Sequence, residues 1–295
     1  MFLRYAFFLL LICSSYSYAG QSAPKHYVVE GWIDNSYVPT LLSLILEASK
    51  APDEVIELKY NKLYDLQLSP SRRIAEFAKL KGNMVMWTVT TKDYEAFLQP
   101  IRVPIFKGLF GYRGLIIRKE DQVKFAGIKS QKKLASLVAG QGEQWPDTDV
   151  LRANNFSVVT GLQTDNLYKM LAAKRFDYFP RALVEIEEEQ AMIDKYDLMI
   201  APNLLLEYPN PMYFFVQKNN TELAKRLVRG WNIILNNGTF DQLFFSQPRI
   251  KKAMTYISPI PRYIAHLKVP ELPKETPLKD FPYWLPMTGS HTLPP

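Results

Sequence analysis

The sequence predicts an α/β fold built as two units, and three observations carry that reading. Residues 26–89 alternate between period-two and helical apolar spacing in the order strand, helix, strand, helix, strand, which favours a parallel sheet covered by helices. The same alternation restarts between residues 137 and 179. A strand at residues 213–217 then feeds an amphipathic helix, so the chain runs on into further structure after the second unit.

Taken in order, the chain opens with MFLRYAFFLLLICSSYSYAG: one basic residue, Arg4, an apolar run from Tyr5 to Cys13, and small and polar residues up to Ala19. That is the three-part layout of a secretory signal, with cleavage expected after Ala19, and the run is well short of the ~20 residues a membrane span needs. HYVVE (26–30) reads as a strand, and PTLLSLILEAS (39–49) has helical spacing behind a proline suited to a first turn. VIELKY (55–60) alternates as a half-buried strand does. Ser69-Pro70 opens a helix that runs to Leu80 and closes at Lys81-Gly82, and MVMWTV (84–89) is a third strand. FGYRGLIIR (110–118) is a fourth.

In the second unit, a short strand at 137–139 leads into Gly140-Gln141-Gly142, a helix spans 147–154, SVVT (157–160) is a strand, and Thr164 or Asp165 caps a helix carrying Leu167, Met170 and Leu171. Asp177-Tyr178-Phe179 is the next strand. After YFFVQ (213–217), Asn220-Thr221 caps a helix with Leu223, Leu227, Trp231, Ile234 and Leu235, and a short helix follows at 239–245. From Pro259 the chain is proline-rich and reads as an extended or partly disordered tail.

Composition narrows the function classes. The single cysteine, Cys13, lies in the expected leader, so the mature chain offers neither disulfide nor thiolate and depends on an apolar core. The net charge of +7 falls to +6 with loss of Arg4, and the basic residues are dispersed, as on a solvated surface and unlike a nucleic-acid footprint. No Gly-x-Ser-x-Gly elbow occurs, and His26, His266 and His291 are scattered, so neither a hydrolase elbow nor a histidine-paired metal site is legible. No cofactor is expected.

Three segments carry a family resemblance through their order and spacing: VMWTVTTKDY (85–94), LYKMLAAKRFDYF (167–179) and YFFVQKNNTELAKRLVRGWNIILNNGTFDQLFF (213–245). They resemble the ligand-binding turn, the second-lobe helix and the closing segment of the family 3 extracellular solute-binding proteins, in a divergent branch also marked by GYRG (111–114), EQWPDTDVL (143–151) and FPRALVEIEEE (179–189). The resemblance implies the two-lobed periplasmic-binding-protein fold of type II, with a ligand cleft between the lobes. Lobe 1 would comprise residues 24–117 and 213–266, lobe 2 residues 118–212, and residues 267–295 the proline-rich tail. Crossings near Arg118 and Pro211 would form the hinge. It further implies a monomeric periplasmic protein that captures a small polar or anionic ligand by hinge closure and delivers it to an ABC-type permease. A sensor docking on a membrane receptor and a dehydratase-like enzyme, with Glu30 as a conceivable acid or base, are the alternatives.

In amino-acid binders of this family, a Ser or Thr on the turn and an Arg a few residues on grip the carboxylate. Here Thr88 and Thr90 supply the hydroxyls, but Tyr94 stands where the Arg is expected, and Arg181 falls where the family's second-lobe acid receives the ammonium. A buried charge without a partner costs several kcal/mol, which disfavours an ordinary α-amino acid as ligand. Arg181 then either contacts ligand or pairs with Glu185, and Arg113, inside an apolar strand, needs a partner or a cleft. Trp32, Trp87 and Tyr94 follow lobe 1 strands, where rings stack on flat ligands, although Trp87 equally suits a core. Trp145 and Asp147 mark the start of a helix whose N–H groups suit an anion, with Asp147 alternatively its cap.

Overall fold

The computed structural model describes residues 25–32, 36–66, 68–258, 261–278 and 283–285; the expected leader, 1–19, lies outside them. In chain order the elements are β1 (Lys25–Gly31), α1 (Tyr37–Ala48), β2 (Glu54–Tyr60), α2 (Pro70–Lys79), β3 (Met86–Val89), α3 (Lys92–Phe97), β4 (Leu98–Ile101) and β5 (Tyr112–Arg118). There follow α4 (Gln122–Ala126), α5 (Gln131–Ala135), β6 (Val138–Gly142), α6 (Pro146–Ala153), β7 (Ser157–Gly161), α7 (Thr164–Ala172), β8 (Phe179–Ala182), α8 (Ile186–Lys195) and β9 (Leu198–Glu207). The chain closes with β10 (Met212–Gln217), α9 (Thr221–Asn236), α10 (Thr239–Ser246), α11 (Pro248–Ile257) and β11 (Tyr263–His266).

Two mixed sheets result. In the first, β1 and β2 pair in parallel, a parallel bridge from Glu30 to Met84 joins β1 to the segment entering β3, and β10 lies antiparallel between β3 and β4. In the second, β6 pairs in parallel with β7 and, through Ala139 and Tyr178, meets the approach to β8. Beyond β8 come β5, β9 and β11, with β5 antiparallel to both its neighbours and β11 parallel to β9. The expectation of parallel sheets therefore holds for the repeated strand–helix units and fails at β5 and β10. Those two strands enter their sheets from the opposite unit and so run against them.

Local chemistry sets the helices. Ser69 Oγ accepts the Arg72 N–H at the start of α2 with Pro70 in the first turn, and Asn220 Oδ1 accepts the Leu223 N–H at 3.1 Å to open α9. The buried stripe of α9, Leu223, Leu227, Trp231 and Ile234, faces the first sheet and α1. At the contact with α1 a side chain on Gly230 would strike the Ile45 carbonyl, so glycine permits that close approach.

The expected lobe boundaries differ from the hydrogen bonding in two places. Residues 112–117 and 263–266, assigned above to the first lobe, pair with β8 and β9 in the second sheet. The segments connecting the two sheets are 102–111, which ends at Tyr112 and so ahead of Arg118, and 208–211, with a third between α11 and β11. One apolar cluster follows the first crossing without a break, from Leu41, Ile45 and Trp231 through Ile105, Phe106 and Leu109 to Phe179, Leu183 and Val184, while Leu115, Phe125, Tyr178 and Tyr208 pack in a second cluster within the second unit. Elements α3, β4, α4, α5, α8, β9, α11 and β11 were not anticipated, β11 falling in the stretch after Pro259 that reads as extended.

Candidate functional site

A cavity of about 410 Å³ lies where the two units face each other. On one side are Thr90, Thr91 and the first turn of α3; on the other are the first turns of α6 and Asn210 of the second crossing; Val269, Pro270 and Glu271 form a third wall. Thr91 caps α3, its Oγ1 accepting the Tyr94 N–H at 3.1 Å. The Thr90 hydroxyl donates to Glu95 Oε1 at 2.6 Å, and Arg102 grips the same carboxylate with two bonds of 2.7 and 2.5 Å. Tyr94 is 8 % exposed, and burial, followed by the charges of Asp93 and Asp147, raises its phenol pKa.

Behind the α6 wall lies a buried ionic network. Asp147, in the first turn of α6, meets Arg113 Nη2 at 2.6 Å and accepts the Tyr208 hydroxyl at 2.5 Å and the Asn210 amide at 3.1 Å, all on Oδ1. Arg113 is 2 % exposed, with the rings of Phe110 and Tyr208 at 4.8 and 5.2 Å from its guanidinium. Arg181 donates from Nε and Nη2 to Glu189, lies 3.1 Å from Glu185, and has the ring of Trp145 at 4.8 Å. Tyr168 completes the Glu189 shell with a 2.6 Å bond. Burial raises the Glu185 pKa against the pull of Arg181 and Arg113, as suits a third carboxylate beside two guanidiniums.

The remaining sequence candidates, Trp32, Trp87 and Thr88, line a second hollow of about 530 Å³ with Tyr64 and Arg73. Trp32 stands edge-on to Tyr60 and Tyr64, each at 5.7 Å, and Trp87 edge-on to Phe214 at 6.4 Å, so Trp87 is half core and half hollow. Thr90, Tyr94 and Asp147 thus meet at the first cavity, and Arg113, Trp145 and Arg181 stand in the network behind it. Arg181 makes the Glu185 pair offered as its alternative, and Glu189 as well.

Gly140 and Gly142 do not follow a strand but lie within β6, where side chains in their place would strike the rings of Phe176 and Trp145. The cap residue of α6 is Trp145; Asp147 sits within the first turn together with Asp149. Sequence reasoning missed Glu95, Arg102, Glu189, Tyr208, Asn210 and Glu271. Glu189 lies in α8 and Arg181 in β8, so no single period links them; the only signal was the acidic run 185–189 close behind Arg181. Among the described residues, no group of three or more His, Cys, Asp or Glu could hold a metal ion.

No family model matches the chain, and no curated protein matches it. Solved structures do. A probable amino-acid ABC transporter extracellular-binding protein from Bacillus subtilis, 13 % identical, superposes with a TM-score of 0.56 over 77 % of this chain and 99 % of its own. An ancestral arginine-binding protein bound to arginine gives 0.50 at 14 % identity, over 76 % and 99 %. The glutamate-bound ligand-binding core of GluR0 from Nostoc punctiforme gives 0.50 at 18 %, over 77 % and 100 %. At such identities the likeness is one of fold.

Proposed function

We propose that this chain, which has the two-lobed periplasmic-binding-protein fold of type II, is an exported solute-binding protein that takes a small polar molecule into the cleft between its sheets. The carrying observation is the cavity of about 410 Å³ bounded by α3 of one unit and α6 of the other. That volume falls within the roughly 300–1,000 Å³ of small-molecule sites. The three-part leader and the cysteine-free mature sequence support work outside the cytoplasm. Among the described residues no helix is long and apolar enough to cross a membrane. Delivery to an ABC-type permease is the role we assign, in keeping with that ascribed to the Bacillus subtilis neighbour.

The lining argues for a ligand with a positive group. Asp93, Asp147, Asp149 and Glu271 border the cavity against a single lysine, Lys92; Asp147 is paired with Arg113 and Glu271 with Lys92, so Asp93 and Asp149 carry the acidic excess of the lining. An anion drawn to the N-terminus of α6 would meet Asp147 and Asp149 in its first turn. An ammonium or guanidinium group would instead be received by Asp93 and Asp149, with the Tyr94 ring beside it.

Thermal unfolding of the chain from Gly20 onward, screened against amines, guanidino compounds, amino acids, organic acids and phosphorylated metabolites, tests both parts. A cationic compound at 100 times its Kd adds about 2.7 kcal/mol. Asp93→Asn combined with Asp149→Asn abolishes that gain. A stabilising organic acid overturns the charge assignment, and absence of any shift overturns solute binding.

A further inference from the structure

The third wall of the cleft belongs to neither unit's compact body. After β11 the chain is first held in the second unit: Leu267 is buried, and Asn154 at the end of α6 both donates to the Lys268 carbonyl at 2.7 Å and accepts its N–H at 3.0 Å. It then crosses to the first unit. The Lys92 N–H donates to the Glu271 carbonyl at 3.3 Å, Lys92 Nζ donates to the Pro270 carbonyl at 3.0 Å, and the Glu271 carboxylate lies 3.4 Å from the same ammonium. Farther on, Thr276 is buried, the Trp284 ring packs over Gly108, and the Leu285 N–H donates to the Lys107 carbonyl at 2.7 Å. Gly108 has φ +79°, so glycine there meets both the turn and the ring lying on it.

The described residues 267–278 and 283–285 thus have buried anchors at Leu267, Thr276, Trp284 and Leu285 and a largely exposed stretch around 268–275 that touches α3 through surface bonds. Such bonds are individually weak, about 0.5–1.5 kcal/mol each, whereas buried anchors resist removal. We infer that this C-terminal strap is a staple: it holds the two units together across the cleft without ligand, and limits how far they separate. The stretch between the Leu267 and Thr276 anchors, fully extended, reaches roughly 30 Å, at about 3.3–3.6 Å per residue. The units can therefore part, but not swing wide, while both anchors hold. The significance for ligand uptake rests on the solute-binding reading, but the staple itself does not.

The test uses the whole mature chain, which has no cysteine, with Lys79→Cys on α2 and Lys132→Cys on α5, both exposed, carrying spin labels. Residues 271–274 are exchanged for a four-residue protease recognition sequence of equal length, and the label-to-label distance is measured by pulsed electron resonance before and after cutting the folded protein. The staple predicts one narrow distance before cutting and a longer, broader distribution after it. A distribution unchanged by complete cutting, with circular dichroism also unchanged, overturns the proposal. Because no ligand is needed, a negative result here leaves the thermal screen to stand or fall by itself, and a silent screen leaves the distance change interpretable.

Discussion

The Asp147 carboxylate borders the cleft and at the same time holds the guanidinium of Arg113, so the cleft wall and the buried ion network meet on one side chain. Asp147→Ala takes from Arg113, 2 % exposed, its nearer ion-pair partner and leaves Glu185 at 3.9 Å; breaking a buried pair typically costs about 3–5 kcal/mol, and the remaining carboxylate sets this loss toward the lower end. Urea unfolding at neutral pH should show that loss, and the double variant Arg113→Met, Asp147→Ala should lose less than the sum of the two single variants. Additive losses would mean that the pair is not coupled. Arg181 and Glu185 stand four residues apart, so their pairing was legible in the sequence. The contacts of Asp147 with Tyr208 and Asn210 were not, because they join α6 to the segment after β9 across some sixty residues of sequence. Glu271 escaped notice for another reason: nothing in a proline-rich stretch says which wall it will lie against.

Elements with a clean period were read correctly. The segment now seen as β10 and α9 combines an apolar run with a capped amphipathic helix, and both appear within a residue of their expected bounds. β4 has four residues, one of them Pro100, and β9 carries Pro202-Asn203 in mid-strand, so neither offers the alternation that marks a strand. α9 is also fastened to β2 by charge. Arg226 pairs with Glu54 and lies 3.8 Å over the Tyr27 ring, and the hydrogen bond from Arg226 lowers the Glu54 pKa to about 2 from 4.5. The unfolded chain therefore binds more protons between those values. The pair's stabilisation is complete above about pH 4.5 and is lost as pH falls toward about 2. In Glu54→Gln, urea midpoints should be lower at neutral pH, and their decline between pH 4.5 and pH 2 shallower than in the parent. Parallel declines would show that Arg226 does not hold Glu54 ionised.

On the scale of the whole molecule, the resemblance leads one to expect two lobes about a hinge, yet the buried core runs through the first crossing without interruption. Lobes that share a core unfold together. Scanning calorimetry should therefore give a single transition whose van't Hoff and calorimetric enthalpies agree, and two resolved transitions would contradict it. The sequence could not disclose this coupling, because Phe106, Leu109 and Phe110 lie in a connecting segment without helix or strand period. The position of β11 adds a consequence for biogenesis. The second sheet receives its edge strand from residues 263–266, near the end of a 295-residue chain, while β9, its partner, was made some sixty residues earlier. Pairings of such long sequence separation form late. A chain emerging from synthesis N-terminus first would leave that edge of β9 without its partner strand until residues 263–266 had been made, so the nascent second sheet carries an open edge over some sixty residues of synthesis.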